Sequence, residues 1–199
     1  MSIQSRKERE RAQREKLIIA AARELAETEG WEAVTTRRLA EEVEYSQPVL
    51  YSHFKGKDAI VTAVALEGIT DLAAELHAAR TAAHDPAAAL AGLSTAYVAF
   101  AEQRPALYEA MFSRHVDLPF ATPEAPPALK EAFGEFVAAV RPYAHDTAPE
   151  MLAEILWAAL HGQVTLMRGG RIPREVQEHR LAVLLARFTQ EPAGSGRAG

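Results

Sequence analysis

Apolar residues along this chain recur three and four positions apart, rarely in alternation, and alanine fills many of the positions between them. That period predicts α-helices and no sheet. Leu17, Ile18, Ala21, Ala22, Leu25 and Ala26 form one stripe, which predicts a first helix over about 8–29, stopped by Gly30. Short helices near 36–43 and 47–53 follow, then a long one over roughly 57–83. Asp85-Pro86 reads as a cap followed by proline at the first helical position. Arg104-Pro105 breaks that helix and opens a short one to about 113. The proline-rich stretch 117–127, DLPFATPEAPP, reads as a connection. A helix to about 143 comes next. Thr147-Ala148-Pro149-Glu150 has the Thr-x-x-Glu spacing of a capping box and predicts the start of a strong helix, ended by Gly169-Gly170. Pro173 is expected to open a final helix to about 190. The sum is an all-α chain of about nine helices. Residues 191–199, EPAGSGRAG, are poor in apolar side chains and are expected to form a disordered tail.

The chain has 199 residues, 48% of them hydrophobic and 25% charged, which suits a soluble globular protein with a sizeable core. It has no cysteine, so disulfides, thiolate zinc sites and a cysteine nucleophile are excluded. The first 16 residues are charged and lack the apolar stretch of a secretory signal. No apolar run approaches the roughly 18 residues needed to span a bilayer. A soluble, cytoplasmic protein without membrane contact is expected. The formal charge is −5, but it is uneven. Residues 1–57 carry 11 Lys and Arg against 10 Asp and Glu, a net of +1; residues 58–199 carry 11 against 17, a net of −6. Any nucleic-acid contact is therefore expected near the N-terminus.

The most informative stretch runs from Val34 to Lys57 and holds the two short helices joined by a three-residue turn. Val34, Leu39, Val43, Val49, Leu50 and Phe54 can share a small core with the first helix, and Ala40 is small where helices would cross. Thr35 or Thr36 suits the cap of the first short helix and Ser46 that of the second. Gln47 and Pro48 fall in the first turn of that second helix, where proline costs little. In a helix-turn-helix the second helix enters the major groove and its N-terminal residues face base edges. Gln47 then suits an adenine edge, and Pro48 and Tyr51 a thymine methyl. Arg37 suits a guanine or a phosphate. Thr36, Tyr51, His53 and Lys57 suit phosphates, and the start of the next helix, near Lys57, adds a positive dipole end.

The ordered series Thr35, Leu39, Ala40, Ser46, Leu50, Tyr51, His53, Phe54 and Lys57 resembles, without a gap, the helix-turn-helix of the TetR/AcrR family of bacterial regulators. Two positions depart from it. The family usually has glycine where Glu44 stands, and a small aliphatic residue where Tyr45 stands. A side chain in the left-handed conformation that glycine allows costs on the order of 1 kcal/mol. The segment Leu156–Leu166, LWAALHGQVTL, is similar to a subgroup of that family with a Trp…His-Gly signature.

The resemblance implies an N-terminal DNA-binding domain over 1–57 and a helical effector-binding and dimerisation domain over 58–190. It also implies a palindromic operator in double-stranded DNA, a small-molecule effector and a homodimer formed through the last two helices. The apolar faces fit: Leu152, Ile155, Leu156, Ala159, Leu160, Val164 and Met167 give one helix a broad apolar face, and Val176, Leu181, Val183, Leu184, Leu185 and Phe188 on the last cover more of its circumference than one core contact needs. Tyr97, Phe100, Tyr108, Met111, Phe112, Trp157, His161 and Met167 are candidate effector contacts, being aromatic or adaptable with few polar groups. They suit a packed core without a ligand as well. The helix at about 57–83 joins the two parts and is the candidate lever.

No catalytic signature appears. None of the seven histidines has Glu three residues before it, as a carboxylate-bridged di-iron site requires. No phosphate-binding glycine loop or nucleophile elbow is present either. No cofactor or metal is expected. The reading is a regulator, most simply a repressor released by an effector. The alternatives left open are an activator, or a helical interaction module that no longer binds DNA.

Overall fold

Helix extents follow the apolar stripes, and helix ends follow the caps. The computed structural model describes residues 3–114, 116, 118, 119 and 122–190. Its helices are α1 (Ile3–Glu29), α2 (Thr36–Glu42), α3 (Gln47–His53), α4 (Lys57–Thr81), α5 (Pro86–Gln103), α6 (Pro105–Phe112), α7 (Pro127–Val140), α8 (Pro149–Arg168) and α9 (Gln177–Thr189). A 3-10 turn, Arg141–Tyr143, follows α7. Among the described residues there is no strand, as the helical period requires, and no helix long and apolar enough to cross a membrane.

The caps explain most boundaries. Asp85 Oδ1 accepts the Ala88 N–H at 2.8 Å, and Pro86 opens α5. At the end of α8, Gly170 adopts φ +63, the Gly170 N–H bonds to the Met167 carbonyl (3.0 Å) and the Arg171 N–H to that of Leu166 (2.8 Å). This is a Schellman stop, which needs a left-handed residue. Two expected starts are corrected. Thr147 does not cap α8: Ala148 holds that position, with no side-chain cap bond, and Pro149 is the first helical residue. The Thr147 N–H instead closes a turn on the Ala144 carbonyl (2.7 Å). Pro173 does not open the last helix, which begins at Gln177; the Pro173 carbonyl instead accepts from Arg180 Nη2 (3.0 Å). The tail expected over 191–199 lies outside the described residues.

Two compact units share the chain. One contains the residues up to Thr70 together with Gln103–Pro126; the other contains Asp71–Glu102 and the residues from Pro127 on. The chain passes from one to the other inside α4. In the first unit α1 packs against α2, α3 and α6. Ile18, Ala22 and Leu25 of α1, Leu39 and Ala40 of α2, Leu50 of α3 and Ile60 and Val64 of α4 are all buried there. At Gly68 a Cβ would lie 2.7 Å from Leu107 Cδ1 and 2.9 Å from Met111 Sδ, so any other residue there would force these α6 side chains to shift. In the second unit α7 packs on α8. Leu72, Leu93, Phe136, Leu156 and Leu160 are buried there, and Ser94 satisfies its hydroxyl on the Leu90 carbonyl at 2.8 Å. Glu135 of α7 takes His77 Nδ1 at 2.9 Å and Arg80 Nε at 2.6 Å, both from α4. Burial pushes its carboxyl up, but the bonds from Arg80 and His77 outweigh this and hold it below the ordinary carboxylate range.

Long-range polar contacts fix α6 to the end of α1. Glu27 accepts the first free N–H groups of α6, from Ala106 (3.1 Å) and Leu107 (2.9 Å). It thus caps α6 from another helix, and its charge suits the positive end of the α6 dipole. The Trp31 indole N–H donates to the Ala106 carbonyl at 2.8 Å, fully buried. Replacing Glu27 with alanine should lower the unfolding free energy by about 2 kcal/mol, and with glutamine by about half as much. Chemical denaturation with far-UV circular dichroism checks this; an alanine variant as stable as the parent would show that the cap contributes nothing.

Candidate nucleic-acid interface

The interface is built on α2 and α3, and its turn decides how α3 is presented. The Thr35 hydroxyl accepts the Arg38 N–H at 3.2 Å and starts α2. Val43 ends α2, and Glu44 takes the left-handed conformation at φ +56. The Glu44 N–H bonds to the Glu41 carbonyl (3.2 Å) and the Tyr45 N–H to the Ala40 carbonyl (2.8 Å). This is again the Schellman pattern, with glutamate in the place that favours glycine. The turn is therefore kept despite Glu44, which carries the strain. Ser46 stands at the N-cap of α3, but its hydroxyl makes no cap bond. The reason is local: Pro48 has no N–H, and the Val49 N–H already bonds to the Ser46 carbonyl at 3.0 Å.

Leu50 is the fully buried residue of α3, with Val49 and His53 half-buried beside it, while Gln47, Pro48, Tyr51 and Ser52 are turned outward. Gln47, Pro48 and Tyr51 are exposed, Tyr51 to 52%, and so are Thr35, Arg37 and Ser46. The Thr36 and Tyr51 hydroxyls lie 3.4 Å apart, which brings the start of α2 and the middle of α3 onto one surface. Arg37 Nε meets Glu41 at 3.1 Å, but both side chains are exposed and such a pair holds weakly in water. His53 and Lys57 are placed differently. The His53 side chain is only 6% exposed, with Nδ1 3.3 Å from Glu15 Oε1 on α1. Burial works against the Glu15 carboxylate, yet bonds from Arg11 and His53 bring it below the ordinary range. Lys57 Nζ donates to the Trp31 carbonyl at 2.6 Å. These two residues tie the end of α3 and the start of α4 to α1 and its following turn. The expected core of this segment divides: Val34, Leu39, Ala40 and Leu50 are buried, while Val43, Val49 and Phe54 are half-buried.

The sequence profile described as bacterial regulatory proteins, tetR family, matches residues 18–64. That described as tetracyclin repressor-like, C-terminal domain, matches residues 90–188. The uncharacterized HTH-type transcriptional regulator Rv0681 of Mycobacterium tuberculosis is 30% identical over 156 residues, which cover 77% of this chain and 69% of that protein. This chain belongs to the TetR family. It is a DNA-binding transcriptional regulator and not an enzyme. The uncharacterized HTH-type regulator YobS of Bacillus subtilis is 35% identical over 96 residues, 48% of this chain, and the match spans half of YobS. The tetracycline repressor protein class C of Escherichia coli is 50% identical over 48 residues, 24% of this chain and 22% of that repressor. A solved structure from Rhodococcus sp. RHA1, of unknown function, has the same fold: TM-score 0.73 at 24% identity, covering 87% of this chain and 92% of that one.

In this TetR-family chain the aromatic candidates for effector contact fall into both units. Tyr97, Phe100, Trp157, His161 and Met167 belong to the second; Tyr108, Met111 and Phe112 belong to the first, where Tyr108 and Met111 are buried. Tyr108 and Phe112 pack with ring centroids 4.9 Å apart. In the second unit the half-buried Trp157 donates its indole N–H to the Tyr97 hydroxyl at 3.0 Å, and Tyr97 meets the edge of Phe136 at 5.7 Å. His161 lies one turn beyond Trp157, ring centroids 6.4 Å apart, and burial holds it below its ordinary value of 6.5. Phe136 escapes a reading of the sequence because its partner Tyr97 lies 39 residues earlier in the chain.

Replacing Glu44 with glycine should raise the unfolding free energy by about 0.5–1 kcal/mol, because relief of the left-handed strain exceeds the extra chain entropy of glycine. Thermal unfolding should then shift up by roughly 2 °C. A drop in melting temperature would show that the Glu44 side chain stabilises the turn.

Proposed function

We propose that this chain is a repressor that holds a palindromic operator as a homodimer and releases it when a small, mainly apolar effector binds. The observation that carries the reading is the exposed row on α3. Gln47, Pro48 and Tyr51 stand on the exposed side of a helix that buries Leu50 and packs His53 against Glu15, so they are open to base edges. Thr35, Thr36, Arg37 and Ser46 border that row and suit phosphates. His53 and Lys57 serve by orienting α3 and α4 against Glu15 and the Trp31 carbonyl, with Lys57 beside the backbone at the start of α4. The name of the class C tetracycline repressor supports repression.

A second copy of the chain is the proposed cover for α8 and α9. Met151 and Ile155 lie four residues apart on α8 and are 54% and 51% exposed; Leu166 on α8 and Val183 on α9 are about half exposed too. Such a face is covered economically by its own two-fold mate. Two recognition helices then meet half-sites roughly 34–36 Å apart. The proposed effector contacts are Tyr97, Phe100, Trp157, His161 and Met167. Trp157 and Tyr97 bond to each other, and His161 one turn beyond Trp157 adds a polar ring to an otherwise apolar set. An effector that prefers a different spacing of the two α3 helices must weaken DNA binding, by reciprocity. The covalent link for that coupling is α4. A cytoplasmic location follows from the DNA partner.

Fluorescence anisotropy on the duplex upstream of the chain's own gene tests this. The parent should bind with a steep negative dependence of log K on log salt. Tyr51→Ala should weaken binding by about ten- to a hundredfold, because it removes one or two interactions with bases and phosphates. Ile155→Glu should weaken it at least as much while turning the dimer into a monomer in sedimentation. Tight binding by either variant would overturn the assignment of that face.

A further inference from the structure

The geometry points to a second DNA-contacting surface, on the first four turns of α1, where Lys7, Arg11 and Arg14 engage phosphates beside the groove that α3 enters. It rests on the reading of α3 as the DNA-reading helix. From Gln4 to Leu17 the residues of α1 are exposed, apart from half-buried Ser5 and Glu15, and Ile18 is the first buried one in that described stretch. Residues 3–16 thus extend the helix about 21 Å past the core, at about 1.5 Å per residue. Nothing in that core requires so long an extension.

Its charge is opposite to that of the rest. Residues 1–16 carry six Lys and Arg against three Asp and Glu, a net of +3; residues 17–57, with the whole helix-turn-helix, carry five against seven, a net of −2. The near balance of the N-terminal part therefore hides a basic arm and an acidic reading head. The arrangement also works against the helix. The first turn of α1 has no acidic residue, and cations there oppose the helix dipole. The ion pairs Arg6–Glu10 (2.8 Å) and Arg11–Glu15 (2.9 Å) in the arm run in the less favourable order, with the cation toward the N-terminus. An anionic partner offsets both costs.

The direction of the arm identifies which anion. Lys7, Arg11 and Arg14 follow each other at i, i+4 and i+7 and continue at i+11, i+15 and i+18 as Ile18, Ala22 and Leu25, the stripe buried in the first unit. The cations therefore leave the core on the face that packs the helix-turn-helix. The contact of Glu15 with His53 puts the last residue of α3 beside this stripe. A duplex that takes α3 in its major groove presents its backbone next to the arm. Lys7 to Arg14 spans about 10 Å, over which duplex DNA carries about six charges. Glu8 is exposed on the flank, Glu10 is paired with Arg6, and Glu15 with Arg11 and His53.

The test is the full chain with Lys7→Gln, Arg11→Gln and Arg14→Gln together. All three positions are exposed and glutamine keeps helix propensity, so thermal unfolding should shift only slightly, by loss of the exposed Arg11–Glu15 pair. Anisotropy is read on the upstream duplex and on a scrambled duplex of equal length, over a range of sodium chloride. The expected result is binding about ten- to a hundredfold weaker on both duplexes, with a salt slope shallower by about 0.9 for each phosphate that is no longer neutralised. Unchanged affinity and slope, with the parent binding normally, overturn this inference alone. Weakening confined to the upstream duplex overturns the phosphate assignment. A parent that binds phosphatidylglycerol vesicles through these residues, with its DNA binding unaffected by the change, makes the partner a membrane and also overturns it. A parent that binds neither duplex overturns the DNA reading and this inference with it.

Discussion

Two seven-residue helices cannot hold themselves. Isolated helices are marginal below about 12–15 residues, and α2 and α3 each have seven. They exist because Leu39, Ala40 and Leu50 are buried in the unit where α1, with Ile18, Ala22 and Leu25 buried too, packs against α2 and α3. The orientation of α3 depends on that burial, and its outward side chains take no part in it. Gln47, Pro48 and Tyr51 can thus vary without cost to the core, while Leu50 stays hidden behind them.

The same constraint makes Trp31 a junction. Its indole holds the Ala106 carbonyl of α6, its own carbonyl takes Lys57 at the start of α4, and the Arg114 guanidinium lies 5.5 Å from its ring centroid. With Glu27 capping α6, the reading head is fastened to two further helices of its unit. A short helix-turn-helix held this way has a defined orientation within its unit.

Much of this was legible in the chain because it is local. Helical period, the Thr35 and Asp85 caps, and the Gly169-Gly170 stop each act within one or two turns. The failures had local causes too: Thr147 and Pro173 carry start signals that nearby turns use for other bonds. What lay out of reach was long-range. The motif singles out His53 and Lys57 by spacing, but Glu15 lies 38 residues before one and Trp31 26 before the other. Glu27 meets its amides 79 and 80 residues later. Of the aromatic set, composition could propose members but not divide them between two units.

The central claim is that α3 is the element that meets DNA. Amide hydrogen exchange of the full chain, with and without its upstream duplex, tests it most directly. The expected result is new protection at the start of α2 and across Ser46–Ser52, with α8 and α9 unchanged. Protection that leaves Ser46–Ser52 untouched, or that falls on α8 and α9, would contradict it.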